Sequence, residues 1–313
     1  MPTFRSGVVA LVGRPNVGKS TLLNRLVGEK VAIVSPKPQT TRTRILGVVN
    51  RPGGQVALVD TPGFHEPKGT LGQALQAITH GALEDVDIVA LLVEPTLGKD
   101  SRTPELSPGD RAILKRLSTL RKPRVLVLNK VDTVAKPPLL PLAGLYRDAI
   151  GFDDTFFISA RTGEGVEEFL ESLLQHLPES EPLFPADTFT DQSERVLAEE
   201  LIREQVLQHC REEVPHASAV LVEVFDEADR APRPGAQGPL QGLVRIGATI
   251  YVERESQKAI VIGKRGGMLK AIGTDARAGL ERMLGTHVYL SLRVKVEPRW
   301  RETERGLRRV GLR

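Results

Sequence analysis

The sequence predicts an α/β protein in which a mostly parallel sheet flanked by helices is followed by a smaller α+β domain of order α-β-β-α-α-β. Three observations predict it. Short runs rich in Val, Leu and Ile alternate with longer mixed segments through the first half of the chain. Alternation of that kind builds parallel sheets covered on both faces, whose strands read as near-continuous apolar runs. The run Pro178-Glu179-Ser180-Glu181-Pro182 then breaks the pattern, and a different order of elements follows it. At 313 residues the chain suits two domains rather than one.

The strand-like runs are Val8–Val12, Val56–Val59, Ile88–Val93, Arg124–Leu128 and Thr155–Ile158. Helix-like stretches between and after them include Ser20–Val27, Gly72–Leu83, Asp110–Leu120 and Val166–Leu177. Asn50-Arg51-Pro52-Gly53-Gly54 is turn chemistry between two strand-like segments, and predicts a hairpin that adds one antiparallel edge strand. A first domain over residues 1–178 and a linker over 179–190 follow from this reading.

In the second domain, residues 191–313, Asp191 with Glu194 three residues on predicts a capping box for a helix running to about Cys210. A strand (Ala219–Phe225), a polar loop (Glu227–Gln241) and a strand (Val244–Val252) come next. A helix from about Gln257, a glycine-rich turn, a helix from Met268 to about Leu284 and a strand (Val288–Val296) complete the order.

Composition bounds the function. The longest apolar runs, such as Ile88–Val93, fall far short of the ~18 residues that span a membrane. The N-terminus runs straight into the strand-like segment Gly7–Val12 without signal-peptide character, so a cytoplasmic location is expected. The single cysteine, Cys210, excludes an internal disulfide and reads as packing. Net charge is +4, yet from Arg293 onward eight basic residues face three acidic ones, which leaves −1 for everything before. A basic end on a neutral chain points to nucleic acid or to an anionic membrane surface.

The chemistry-bearing motifs follow predicted strands. Gly13-Arg14-Pro15-Asn16-Val17-Gly18-Lys19-Ser20 fits G-x4-G-K-S between a strand and a helix. Its backbone N–H groups would wrap a phosphate chain at the helix N-terminus, Lys19 would reach the outer phosphates, and the Ser20 hydroxyl would ligate Mg²⁺. Asp60-Thr61-Pro62-Gly63 sits at a strand end, with Asp60 as a second Mg²⁺ group and the Gly63 N–H free for the terminal phosphate. Gln39-Thr40-Thr41-Arg42-Thr43-Arg44 supplies a threonine to complete the metal shell, for which Thr41 is favoured. Asn129-Lys130-Val131-Asp132 reads the base: guanine offers two adjacent donors that the Asp132 carboxylate accepts, and adenine does not. Ser159-Ala160 resembles the loop that supports the base from its other side through backbone N–H. Lys19, Thr41 and Gly63 are the candidate catalytic residues, with Phe64 completing the nucleotide-binding set.

Taken together, GRPNVGKS, PQTTRTR, DTPGFH, NKVD and SA resemble the translation-factor class of small GTPases. Val261-Ile262-Gly263-Lys264-Arg265-Gly266 resembles the GXXG loop of a KH domain, and over the whole chain the sequence is similar to the Era family of bacterial ribosome-associated GTPases. The resemblance implies a P-loop GTPase domain using GTP/GDP and Mg²⁺, followed by a KH domain that binds 16S ribosomal RNA. It implies a role in maturation of the 30S subunit; separately, a monomer is expected, and the charge of the basic tail makes it a candidate membrane contact. A GXXG loop lets an RNA backbone approach closely, and here Lys258, Lys264, Arg265 and Lys270 surround Gly263 and Gly266 with positive charge.

Phe64 follows Gly63 where many GTPases place a water-orienting glutamine, so unaided hydrolysis should be slow. Related GTPases with asparagine at the Asn16 position use K⁺ as an extra positive charge. His65 reads as a surface histidine, and Trp300 as a cap on the second core. The alternative is an RNA-binding scaffold in which GTP is mainly structural; an ATP-using enzyme is disfavoured by Asp132.

Overall fold

The structure is a computed structural model that describes residues 4–35, 37, 40–64, 69–95, 104–231 and 240–312. The chain divides into two compact units, one of residues 1–67 with 73–191, the other of residues 192–313 with 68–72.

In the first unit the elements are β1 (Arg5–Val12), α1 (Lys19–Val27), β2 (Ile45–Arg51), β3 (Gly54–Asp60), α2 (Gly69–Gly81), β4 (Ile88–Val93), α3 (Pro108–Leu117), β5 (Arg124–Leu128), α4 (Leu139–Ala149), β6 (Asp154–Phe157) and α5 (Val166–His176). The sheet has the order β2-β3-β1-β4-β5-β6. Only β2 is antiparallel, joined to β3 through the hairpin turn whose Gly53 adopts φ +82°. Side chains alternate between two cores: Val9, Leu11, Val56, Leu58 and Val125 pack on one face, and Ala10, Val12, Val89, Leu91 and Leu126 on the other. Chain order reverses about β1, which has β3 on one side and β4 on the other. A crevice therefore opens at the C-terminal ends of these strands.

Helix α4 is not legible in the sequence. Pro137, Pro138 and Pro141 interrupt its period, but Pro138 is the N-cap and Pro141 lies in the first turn, where a backbone N–H has no helical partner to lose.

The stretch after Pro178, expected as a linker, is hydrogen-bonded along the first unit. Ser6 N donates to Pro178 O (3.2 Å), and Ser180 N to Phe4 O (3.1 Å). The buried Gln55 accepts from Leu183 N (2.8 Å) and Phe184 N (2.9 Å) and donates to Phe184 O (2.9 Å). Val48 N donates to Phe189 O (3.0 Å) and Thr190 Oγ1 to Leu46 O (2.6 Å), so this segment satisfies part of the open edge of β2.

The second unit contains α6 (Glu194–His209), α7 (Val214–Ala217), β7 (Ala219–Asp229), β8 (Leu243–Val252), α8 (Glu255–Ile262), α9 (Gly267–Leu284), β9 (His287–Val296) and α10 (Glu304–Arg309). Its sheet runs β7-β8-β9, with β7 antiparallel and β9 parallel to β8. One core of Ile202, Val206, Val222, Ile246, Val261 and Ile272 joins helices to sheet. Strand β7 extends beyond the predicted Phe225 because register shifts after Val222 and Asp226 break the alternation that marks a strand. Residues 232–239 of the predicted loop lie outside the described residues.

The capping box at Asp191 does not form. Thr190 is still bonded to β2, so the helix starts later with Ser193 as N-cap, accepting from Val196 N at 3.4 Å. Glu194 turns instead to Arg230 (2.6 Å). Trp300 is fully buried, and its Nε1 donates to Ala217 O (2.9 Å), so it is a core residue; Cys210 is likewise buried.

The basic end is a folded element rather than a free tail. Lys295 pairs with Glu223, Arg299 with Glu302, Arg301 with Glu253, Arg308 with Glu304 and Arg309 with Glu297. Counting charge along the sequence missed this, because Glu223 and Glu253 come from other elements. Among the described residues no helix is long and apolar enough to cross a membrane.

Candidate active site and nucleic-acid interface

The predicted nucleotide residues collect at the C-terminal ends of the first sheet. The loop from Gly13 to Gly18 joins β1 to α1, anchored by the fully buried Val17. Its glycines are required by close approach: a β-carbon at Gly13 would lie 2.2 Å from Leu92 O, and one at Gly18 2.2 Å from Asn129 Nδ2. Asn16 is exposed with φ +65°. Lys19 Nζ donates to the carbonyls of Gly13 (3.2 Å) and Arg14 (3.1 Å), holding the ammonium across the loop.

Ser20, Thr41 and Asp60 meet at one point although 21 and 19 residues separate them in turn. Ser20 Oγ donates to Asp60 Oδ2 (2.5 Å), Thr41 Oγ1 donates to the same oxygen (3.3 Å), and the two hydroxyls are 3.1 Å apart. Asp60 Oδ1 is buried and has no hydrogen-bond partner among the described residues. Burial pushes the Asp60 carboxyl up, opposed by Lys19 and the two hydroxyls; burial pushes the Lys19 ammonium down, opposed by Asp60. Thr61 Oγ1 donates to Leu11 O (3.1 Å), and Thr79 Oγ1 donates to Pro62 O (3.1 Å). Gly63 sits so close to the phosphate loop that a β-carbon would come within 2.6 Å of Pro15 N, and Phe64 N donates to Gly13 O (3.0 Å). His65 lies outside the described residues.

On the base side, Asn129 is a brace between loops. Its Nδ2 donates to Val17 O (2.7 Å), and its Oδ1 accepts from Ala160 N (2.9 Å). Lys130, at φ +65°, pairs with Glu94 (2.5 Å), and Val131 is buried beside it. The Asp132 carboxyl is held below its usual range by the Ser159 hydroxyl and then by Arg161, whose Nη2 lies 2.5 Å away. In the Ser159-Ala160 loop, Ser159 N donates to Glu164 O (2.9 Å) and Ala160 N to Asn129 Oδ1 (2.9 Å), so the loop helps to orient Asn129 and, through the Ser159 hydroxyl, Asp132.

A cavity of about 460 Å³ runs between these motifs, lined by Asn16, Lys19, Ser20, Thr40, Glu94 and Lys130 with Ile33, Val34 and Ser35. The last three were missed, since an apolar run after a helix reads as a strand and nothing in its sequence marks it as a cavity wall. Arg14 and Glu94 were missed as partners. Arg14 reaches Asp110 (3.0 Å) and Glu94 (3.6 Å), so four alternating charges link Asp110, Arg14, Glu94 and Lys130.

In the second unit, α8 ends at Gly263 (φ +72°), followed by a turn with Arg265 at φ +52° and Gly266 at φ +76°. A β-carbon at Gly263 would lie 2.6 Å from Met268 Cβ, whereas Gly266 faces open space. Lys264, Arg265 and Lys270 are exposed; Lys258 pairs with Glu255 (3.7 Å). A groove of about 570 Å³ lies between α9 and β9, lined by Gly266, Leu269, Lys270, Gly273, Thr274 and Arg277 with Leu290 and Leu292. Thr274 and Arg277 went unpredicted, yet Lys270, Gly273, Thr274 and Arg277 stand at i, i+3, i+4 and i+7, the spacing of one helix face.

Residues 8–130 match the family described as 50S ribosome-binding GTPase, and residues 218–301 match the KH domain family. The chain is 44% identical to GTPase Era of Geobacter metallireducens over 98% of each chain. It is 43% identical to GTPase Era of Leuconostoc citreum over 99% of this chain and 97% of that one. It resembles, at TM-score 0.89 and 40% identity over 98% of this chain and 99% of that one, the crystal structure of Era with MgGDPNP and nucleotides 1506–1542 of 16S ribosomal RNA. A variant of Aquifex aeolicus Era bound to GDP and AlF4⁻ matches at the same TM-score of 0.89, 39% identity and the same coverage. Identity at this level spans both the nucleotide crevice and the grooved second unit, and the chain belongs to the Era family of GTPases.

Proposed function

We propose that this GTPase is a hydrolytic switch whose second unit binds the 3′-terminal region of 16S ribosomal RNA and assists maturation of the 30S subunit. It would act as a cytoplasmic monomer. The observation that carries the catalytic half is the meeting of Ser20, Thr41 and Asp60, with Asp60 Oδ1 buried and, among the described residues, unpartnered. Two hydroxyls and a carboxylate form a hard-oxygen set that suits Mg²⁺. When bound, the ion would neutralise charge on the outer phosphates.

The remaining roles fall to the chain itself. Lys19 would exchange the carbonyls of Gly13 and Arg14 for phosphate oxygens, and its burial strengthens that interaction. Asp132, kept ionised by Ser159 and Arg161, would accept the two adjacent guanine donors. Gly63 would offer its N–H to the terminal phosphate after leaving Pro15. Phe64 carries no group to orient water, so hydrolysis would be slow unaided or draw on another group, and K⁺ at Asn16 is the proposal. Faster turnover in K⁺ than in Na⁺ at equal ionic strength tests it.

The RNA half is supported by the GXXG turn opening onto the groove that Lys270 and Arg277 line, and by the relative crystallised with 16S ribosomal RNA. The 50S ribosome-binding GTPase family is matched over the first unit alone. The small-subunit reading draws on the relative crystallised with 16S ribosomal RNA, which matches from end to end. Crosslinking the protein in cells and sequencing the attached RNA tests it: enrichment of the 16S 3′ end is expected, and large-subunit RNA alone would refute it.

A second reading, an RNA-binding scaffold in which GTP is mainly structural, draws on Phe64. Comparing turnover with and without 30S subunits separates the two, because a switch should be stimulated by its target and a scaffold should not.

A further inference from the structure

Only one face of the second unit's sheet is covered by helices α6, α8 and α9, the face that carries Val222, Ile246, Ala248 and Leu290. On the opposite face Leu221 lies against the C-terminal turn, where a β-carbon at Gly311 would come within 2.9 Å of its Cδ1. Thr249, its partner in register, is fully buried. Beyond them, among the described residues, this face carries exposed side chains. Val224, Gly247 and Ser291 form one row across the three strands, and Arg245 and Tyr289 stand opposite each other in the next. Gly247 leaves its row unfilled, and a depression of about 250 Å³ results, bordered by Glu223, Arg245, Tyr289 and Arg293. Tyr289 is 62% exposed and Val224 51%.

Charge and continuity say what the depression would hold. Glu223 is paired with Lys295 (3.4 Å) and Asp229 with Arg245 (2.6 Å); Asp226 faces the same Arg245 in register and shares that cation. Arg293 has no carboxylate partner among the described residues, and borders the same depression as the exposed ring of Tyr289, four residues along the strand. Strand β9 is the sheet's edge, and its alternation serves both sides. Leu290 and Leu292 line the groove, while Tyr289, Ser291 and Arg293 border the depression. An extended RNA leaving the groove therefore has only the edge of one strand to cross.

We propose that this open face is a second RNA-contact surface, with an unpaired base stacked on Tyr289 and a phosphate on Arg293. The proposal rests on the RNA reading above. A GXXG groove grips about four nucleotides, whereas the RNA in the related complex runs from nucleotide 1506 to 1542, so most of such an RNA must lie elsewhere. Aromatic stacking tolerates any base, and a single arginine adds a salt-sensitive phosphate contact.

The test uses the full-length protein and two RNA probes in fluorescence anisotropy. One corresponds to 16S nucleotides 1506–1542; the other is the shortest segment of it that the wild-type protein binds. Tyr289→Ala combined with Arg293→Gln should weaken the long probe by at least about fivefold. It should flatten that probe's salt dependence by about one unit, and leave the short probe unchanged. Tyr289→Phe should restore the stacking share of the affinity. Unchanged affinity for the long probe would overturn the proposal and leave this face to a protein partner or to solvent; so would equal loss for both probes, which would mean a disturbed groove. Failure of the wild-type protein to bind either probe would instead remove the RNA reading itself.

Discussion

Arg14 Nε lies 3.0 Å from Asp110 Oδ1, so a side chain of the phosphate loop is anchored to the first turn of α3, 96 residues away. Asp110 is fully buried, and its other oxygen meets Ser107 Oγ (2.6 Å), the N-cap of the same helix. The Arg14 carbonyl in turn accepts from Lys19. Asp110→Ala should therefore lower stability by about 1–3 kcal/mol, since a partly buried guanidinium loses the nearer of its two carboxylate partners, and should weaken GTP binding as the loop loosens. Asp110→Asn keeps an acceptor for Arg14 and should recover most of both. Thermal melts with a fluorescent GTP analogue check this; an alanine variant equal to wild type in both would show the pair to be incidental.

Asp132→Asn should lose GTP affinity by at least about tenfold, because two charge-assisted hydrogen bonds to guanine are replaced by mismatched groups. Affinity for xanthosine triphosphate, whose base presents an acceptor in place of the amine, should rise. Titration with both nucleotides decides the matter, and an unchanged preference for GTP would remove Asp132 from the base site.

A fragment ending at residue 191 should be more stable than one ending at 178. The shorter one strands the buried Gln55 without Leu183 and Phe184 and exposes the Val48 edge that Phe189 covers. Leaving such groups unpaired costs about 2 kcal/mol, which for a fragment this size is about 4–8 °C in melting temperature. Equal melting temperatures would mean the segment contributes nothing.

Lys264→Asp with Arg265→Asp should weaken RNA binding by at least about tenfold while leaving GTP hydrolysis without RNA unchanged. Both side chains are exposed, and the left-handed backbone at Arg265 tolerates aspartate. Gly263→Asp is a different experiment. Its β-carbon would strike Met268, so it should lower the melting temperature of the second unit as well as RNA affinity. Normal RNA binding by the folded Lys264/Arg265 variant would exclude the turn from the interface.

The sequence by itself determined the elements whose chemistry is local. Val-rich strands, the glycine pattern before Lys19, the Asp60 and Asn129 motifs at strand ends and the Gly263–Gly266 turn each declare themselves within a few residues. Backbone geometry and period act at that range. Tertiary structure decided everything that depended on a distant partner. Gln55 looks like an ordinary strand residue until the segment after Pro178 supplies its hydrogen bonds. Asp110 looks like a helix cap until Arg14 reaches it. The arginines after Arg293 read as a free basic tail until Glu223, Glu253 and Glu297 pair with its cations, and Tyr289 reads as one more strand residue until Gly247 opens a space beside it. A charge or a polar side chain acts through what lies within about 4 Å, and separation along the chain does not encode that distance.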